Sequence, residues 1–396
     1  RESSTKSGKK ASKKITRSRT GSGSSEKSSG GSKKEKSVKQ KAAAKSSVAP
    51  IPEQTNADNP FSAIGDRTPA PGSLFKRQIH RAGMRAIRAI GAGQFGQVFL
   101  ALQKMPDGTQ VERAVKLLKD VKSEADRKEF IHEAEVMLET QNDSLMSMIG
   151  VAVQQRPWLM VLEYVEYGDL RNLLLACQKK NIKLTPKEKL LICKEIGTGM
   201  AYMESLNFVH CDLAARNVLV GKNNSIRIGD FGMTRRLKTR VRWRGPAMMK
   251  VAIRWSAIEV LQERTFTTKS DVWAFGVVMW EVFAYGAMPW LGLTNANVYS
   301  ATIAGERMKA PADCPKHIYS LMRSTWNATP EARPTFKDIS AELHTCFRNM
   351  MKTVPRDIGD CIKNSAAPAP KPVATKAKAA DDDIDDNLYL AEYHYT

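Results

Sequence analysis

Two stretches hold residue types suited to phosphoryl transfer. In His210-Cys211-Asp212-Leu213-Ala214-Ala215-Arg216-Asn217, an aspartate can accept a hydroxyl proton, with an asparagine five positions on. Asp230-Phe231-Gly232 supplies a second carboxylate downstream. Asn217 and Asp230 are hard oxygen donors of the kind that hold Mg²⁺. Upstream lies Ile90-Gly91-Ala92-Gly93-Gln94-Phe95-Gly96-Gln97-Val98, whose glycines let backbone approach phosphates. Arg113-Ala114-Val115-Lys116 then sets a lysine among apolar neighbours, and Glu133 offers a carboxylate to hold the ammonium. Taken singly, each piece has a plain structural explanation as a turn, a solvated cation or a surface acid. Together, in this order, they form a phosphoryl-transfer set.

The elements that must position these residues are legible as patterns. Strands are predicted at 85–90, 97–103 and 111–118, so the glycines lie between two strands. That placement favours a hairpin over nucleotide phosphates and disfavours a dinucleotide-binding turn, which needs a strand before it and a helix after it. A helix is predicted over 123–140, where Phe130, Ala134, Met137 and Leu138 share a face. A strand pair at 148–154 and 158–164 follows. Thr185-Pro186 then opens a helix to about Ser205, with Thr as N-cap and Pro in the first turn. Further helices are predicted at 269–284, 294–305, 316–326 and 335–348. The apolar run from Val272 to Ala284 is broken by Gly276 and Glu281 and reads as a buried helix.

These motifs resemble a eukaryotic protein kinase domain over about residues 84–350. Leu213-Ala214-Ala215-Arg216-Asn217 is similar to the catalytic loop of the tyrosine-kinase branch. Trp255, Asp271-Val272-Trp273-Ala274-Phe275-Gly276, Pro289-Trp290, Cys314-Pro315, Trp326 and Arg333-Pro334-Thr335-Phe336 resemble the same branch. The resemblance implies an α+β, two-lobed fold, with a small β-rich N-lobe holding one key helix and a larger, mainly helical C-lobe. It implies transfer of the ATP γ-phosphate to protein tyrosines in signalling, with Mg²⁺ or, alternatively, Mn²⁺. Lys116 would pair with the α/β-phosphates and Glu133, while Asp212 would be the base and Arg216 would support the transferred group. Asn217 and Asp230 would hold the metal. Gly91, Gly93 and Gly96 would cover ATP, and Val98, Ala114 and Leu219 would sandwich its adenine. Glu163 to Val165 would form the hinge, with Leu162 behind the pocket. Asp271 would anchor the catalytic loop, and Glu259 would pair with Arg333.

Several positions depart from the family pattern. Position 211 is Cys where the family usually has the arginine that receives an activation-loop phosphate. The segment from Phe231 to Ile258 holds no tyrosine and no acid but eight basic residues: Arg235, Arg236, Lys238, Arg240, Arg242, Arg244, Lys250 and Arg254. Activity without loop-tyrosine phosphorylation is therefore expected, leaving Thr234 and Thr239 as the modifiable positions. Ala257-Ile258-Glu259 lacks the usual central proline, and Ala252 replaces a proline near the substrate platform. Cys211 and Ile258 support a pseudokinase-like signalling scaffold as the alternative. A dual-specificity kinase is the other.

The whole chain has 396 residues, 42 % of them hydrophobic, and a net charge of +21. This composition excludes a collagen-like, coiled-coil or wholly disordered chain. No apolar stretch is long enough to span a bilayer. Six scattered cysteines without metal-ligand spacing imply a reducing, intracellular, cytoplasmic setting. Beginning at Arg1, the chain is expected to be a fragment or processed product, membrane-associated if a transmembrane span precedes Arg1.

Charge divides the chain. Residues 1–83 are expected to be disordered, first Lys/Ser-rich and then Pro-containing, and 351–396 a disordered tail. Residues 1–50 carry 15 basic and 3 acidic side chains and read as a solvated tether or, alternatively, as a segment drawn to anionic membrane; without interleaved aromatics, nucleic acid is a poor partner. Asn59-Pro60-Phe61 resembles a short endocytic docking motif. The basic activation segment suits acidic tyrosine peptides. The acidic end of the chain contains Tyr389, Tyr393 and Tyr395, candidate docking sites for phosphotyrosine-binding modules.

Overall fold

Alternation of inward and outward side chains builds the first half of the fold. A computed structural model describes residues 59–62, 72–93, 96–118, 124–237, 241–350 and 353–365. Strands β1 (Met84–Gly93), β2 (Gly96–Lys104) and β3 (Gln110–Leu118) precede helix α1 (Glu124–Glu139), and β4 (Met148–Ala152) and β5 (Trp158–Glu163) complete the lobe. The five strands form one antiparallel sheet in the order β1-β2-β3-β5-β4. Because side chains alternate along a strand, Met160 and Leu162 join the core cluster containing Phe130, Ala134 and Met137 of α1. Leu159 and Val161 instead join Phe99, Val115 and Leu117 in a second cluster on the opposite face. Gly96 is sterically required: a Cβ there would lie 1.8 Å from the Leu117 carbonyl oxygen.

The second half is mainly helical. It runs through α2 (Leu170–Lys179), α3 (Pro186–Ser205), β6 (Phe208–Val209), β7 (Val218–Val220), β8 (Ile226–Ile228), β9 (Arg235–Arg236) and β10 (Trp243–Arg244). It continues with α4 (Ile258–Glu263), β11 (Thr265–Phe266), α5 (Thr268–Phe283), α6 (Asn295–Ile303), α7 (Lys316–Thr325), α8 (Phe336–Asn349) and α9 (Ile358–Asn364). Helix α3 starts on a full capping box between Thr185 and Glu188, with Pro186 at its first position. Thr267 with Ser270 and Thr335 with Asp338 cap α5 and α8 in the same way. Helix α5 is buried along most of its length. Gly276 lets α7 approach it, since a Cβ there would sit 1.9 Å from Thr325 Oγ1. Among the described residues no helix is long and apolar enough to cross a membrane.

The described residues of the two flanks, 59–62, 72–83 and 353–365, are placed against the lobes in place of the expected disorder. Phe61 is 1 % exposed and sets its ring edge-on to Phe99 at 5.7 Å. Asn59 Nδ2 donates to the Met84 carbonyl at 2.7 Å, and Arg81 donates to the carbonyls of Phe61, Ala152, Gln155 and Arg156. Asn59-Pro60-Phe61 is thus packed into the lobe instead of displayed as a docking motif. Beyond Met350, α9 is held by Arg356 on Glu188 at 2.8 and 3.0 Å, and by the Tyr167 hydroxyl donating to Asp360 at 2.9 Å. These partners lie far away in sequence, so local composition carries no sign of them. Residues 1–58 and 366–396, with Tyr389, Tyr393 and Tyr395, lie outside the described residues.

Candidate active site

Strand β3 and helix α1 bring the first charged pair together. Lys116 stands opposite Val98 of β2 and Met160 of β5, and its Nζ reaches Glu133 Oε2 at 2.5 Å. Burial disfavours the ammonium, but the Glu133 and Asp230 carboxylates outweigh it and raise the Lys116 pKa, while burial also raises that of Glu133 against the pull of Lys116. Around it, Ala114, Leu162 and Val165 are buried in the same apolar cluster, with Val98 and Leu219 packed against them. Gly91 pairs with Val98 across the β1–β2 hairpin, and Gly93 with Gly96. The hairpin tip, Gln94 and Phe95, lies outside the described residues. Glu163 differs from a bare hinge residue: its carboxylate pairs with Arg227 of β8 at 3.0 Å and accepts from Ser147 N.

The catalytic-loop residues converge on Asp212. Arg216 donates to Asp212 Oδ1 at 2.6 Å, and Asn217 Nδ2 donates to Oδ2 at 2.9 Å and to the Asp212 carbonyl at 2.7 Å. The Arg216 guanidinium also lies over the Trp255 ring, 4.6 Å from its centroid. Because Asn217 uses its amide NH₂ on Asp212, its amide oxygen remains as an acceptor. Asp230 presents an exposed carboxylate from a left-handed backbone, φ 61°. Phe231, its neighbour, is fully buried beside His210, with ring centroids 5.7 Å apart. An amide oxygen and a carboxylate are hard donors that fit Mg²⁺ or Mn²⁺.

Two buried acids hold this loop from behind. Asp271 accepts the backbone N–H of His210 at 2.6 Å and of Cys211 at 3.0 Å, and burial raises its pKa to about 7. These bonds fix Cys211 in the left-handed region at φ 69°. Glu281 accepts from Ala215 N at 3.0 Å and Trp255 Nε1 at 2.9 Å, and burial likewise raises its pKa to about 7. His210 Nδ1 faces the Asp212 N–H and its Nε2 faces the Gly229 carbonyl, so a neutral ring protonated on Nε2 satisfies both. Burial lowers its pKa accordingly.

The departures from the family pattern meet different fates. Ile258 simply begins α4, and Glu259 forms a bidentate pair with fully buried Arg333 at 2.6 and 2.8 Å. Cys211 places its thiol against the Val209 carbonyl, and burial raises its pKa well above the usual value. Thr234 is 0 % exposed, its hydroxyl pointing to the His210 carbonyl, so it is not presented for modification. Thr239 lies outside the described residues. Sequence reasoning missed the roles of Glu281, Arg227, His132 and Trp243. Only Glu281 left a trace, as an acid inside an otherwise apolar helix.

The family described as protein tyrosine and serine/threonine kinase matches residues 84–343. The chain is 38 % identical over 292 residues to "BDNF/NT-3 growth factors receptor" of Gallus gallus, covering 71 % of this chain and 35 % of that protein. It is 38 % identical over 275 residues to "Tyrosine-protein kinase ABL2" of Homo sapiens, covering 69 % and 22 %. It is 36 % identical over 278 residues to "Tyrosine-protein kinase receptor TYRO3" of Gallus gallus, covering 67 % and 32 %. The chain therefore spans about a third or less of the length of these relatives. With the paired lysine and glutamate, the gripped aspartate and the two-lobed frame in place, the chain belongs to the protein tyrosine and serine/threonine kinase family, on its tyrosine branch.

Proposed function

We propose that this chain transfers the γ-phosphoryl group of ATP to tyrosine hydroxyls of protein substrates. The observation that carries the reading is Asp212, with both carboxylate oxygens engaged by Arg216 and Asn217. So held, its carboxylate is oriented to accept the proton of an incoming hydroxyl. Lys116, fixed by Glu133, binds the phosphates at a set depth below the Gly91, Gly93 and Gly96 hairpin. Val98, Ala114 and Leu219 supply an apolar slot for adenine, while the backbone from Glu163 to Val165 offers hydrogen bonds at its edge. Mg²⁺, or Mn²⁺, held by Asn217 and Asp230 would neutralise charge on the transferred phosphate. Catalysis is then mostly positioning and fixed charge. A binding-only scaffold has little support, since Ile258 leaves the Glu259–Arg333 pair intact and Cys211 keeps its backbone bond to Asp271.

The substrate class follows from charge. Arg242, Arg244 and Lys250 are exposed on a segment without acids, which attracts acidic peptides by long-range steering. The chain's acidic end, with Tyr389, Tyr393 and Tyr395, is one such peptide and would dock phosphotyrosine-binding modules once modified. Residues 1–50 would add affinity for anionic membrane on the intracellular side. Phosphoamino-acid analysis of an acidic tyrosine peptide, incubated with ATP and Mg²⁺, tests the reading. Phosphotyrosine is expected with the intact chain and loss of at least about 10³-fold with Asp212→Asn. Equal signals from both would overturn it, and phosphoserine or phosphothreonine would point to dual specificity.

A further inference from the structure

The activation segment is tied to α1 through arginine and an aromatic ring. Arg235 Nη1 donates to the carbonyls of Gly232 at 3.0 Å and Thr234 at 2.8 Å, and lies 2.8 Å from His132 Nε2. His132 Nε2 also lies 2.7 Å from the Thr234 carbonyl, which can only accept, so the ring donates there and shares that carbonyl with Arg235. The same guanidinium lies over the ring of Trp243, 5.0 Å from its centroid. Trp243 is itself fixed: its ring packs on that of Phe266 at 5.3 Å between centroids, and its strand β10 pairs with β11. Arg236 adds a second tie, to Glu139 at the end of α1 at 2.5 Å. His132 precedes Glu133, the residue that holds Lys116.

Resting on the kinase reading above, we propose that Trp243 is a positioning residue that replaces a loop phosphate. Its π face clamps the Arg235 fork, the fork fixes the Thr234 carbonyl to which His132 is bound, and α1 is thereby kept where Glu133 meets Lys116. A guanidinium sandwiched between an aromatic face and carbonyl oxygens gains from both, and needs no anion to fix it. The chemistry is consistent with the rest of the segment. No tyrosine lies between Phe231 and Ile258, and the usual phosphate-receiving arginine is replaced by Cys211, beside which the Arg235 charge is felt. In place of a phosphate–arginine pair, the switch position holds a neutral ring under a cation. The segment is assembled by folding alone.

The test uses Trp243→Leu, which keeps apolar bulk against Phe266 but removes the π face, and Trp243→Phe, which keeps a smaller one. Two readouts are taken on phosphatase-treated protein: kcat and KM for ATP, and amide exchange over residues 124–139. Trp243→Leu is expected to lower kcat about tenfold, the equivalent of about 1.4 kcal/mol. Its KM for ATP should move less than threefold, and exchange across 124–139 should rise. Trp243→Phe should recover most of the kcat and the protection. Wild-type kcat and unchanged exchange in Trp243→Leu would overturn the proposal. Should Trp243→Leu melt far below the wild type, Arg235→Lys decides: it keeps the charge but loses the planar fork, and unchanged kcat and exchange overturn the idea. If the wild type itself shows no turnover, the kinase reading fails, and the exchange arm alone still decides the clamp.

Discussion

The catalytic loop and the activation segment sit side by side yet are held by opposite means. The loop from His210 to Asn217 hangs on two buried carboxylates, Asp271 and Glu281, which accept its backbone N–H groups. The segment from Phe231 onward is held from its outer side by cations, with Arg235 on Trp243 and Arg236 on Glu139. Buried acids give rigid placement, sensitive to proton uptake and indifferent to salt. Surface arginines give a placement open to salt and to rearrangement, which suits a surface that must meet substrates. The far end of the segment is an exception, since Glu259 is pinned by fully buried Arg333.

That exception gives the largest expected effect. Arg333→Ala strands Glu259 and the carbonyls of Asn327 and Lys269, and should cost about 3–5 kcal/mol by urea unfolding. A cost below 1 kcal/mol would mean the segment's end is not anchored there. Next comes Asp271→Asn. An amide offers one acceptor and one donor, so either His210 N–H or Cys211 N–H loses its partner. kcat should fall about 10²-fold with KM for peptide little changed, as expected of a displaced catalytic loop.

Charge reversal in the outer region should act differently. Arg242→Glu combined with Arg244→Glu is expected to raise KM for an acidic peptide about tenfold at low salt, with kcat nearly intact. The gap from wild type should shrink as salt rises past about 0.2 M. A gap independent of salt would remove steering from the account of this surface. The smallest effect is in proton linkage. The Glu281 pKa is raised to about 7 in the fold, against about 4.3 in an unfolded chain. Its protonation therefore stabilises the fold below about pH 4, and this contribution is lost as pH rises through 7. The stability of wild type relative to Glu281→Gln should fall by about 1 kcal/mol between pH 6 and 7 in urea titrations.

The inner region was far easier to read from sequence than the outer one. Thr185-Pro186 gave the start of α3 because an N-cap and a first-turn proline act within four residues. Lys116 and Glu133 were readable because each sits in its own local pattern, a strand and an amphipathic helix. Asp212, Asn217 and Asp230 stand out in the sequence because the proposed chemistry calls for a base and hard oxygen donors in that order. The Arg235–Trp243 contact had no such signal, since arginine and tryptophan at that distance in a basic loop are unremarkable until folded. Glu163 read as hinge and proved also to be a brace, because Arg227 lies 64 residues away. Helix α9 and the Phe61 plug were missed for the same reason. A seven-residue helix and a single ring have no periodicity of their own, and their stability comes from Glu188, Tyr167 and Phe99.

The contrast between the two regions converges on one property: a catalytic centre assembled without a loop phosphate. Single-turnover tyrosine phosphorylation by fully dephosphorylated chain tests it most directly. Phosphopeptide mapping must first confirm that residues 231–258 carry no phosphate. Turnover at the same rate before and after phosphatase treatment is expected. An inactive dephosphorylated chain, restored only when phosphate returns to that segment, would contradict it.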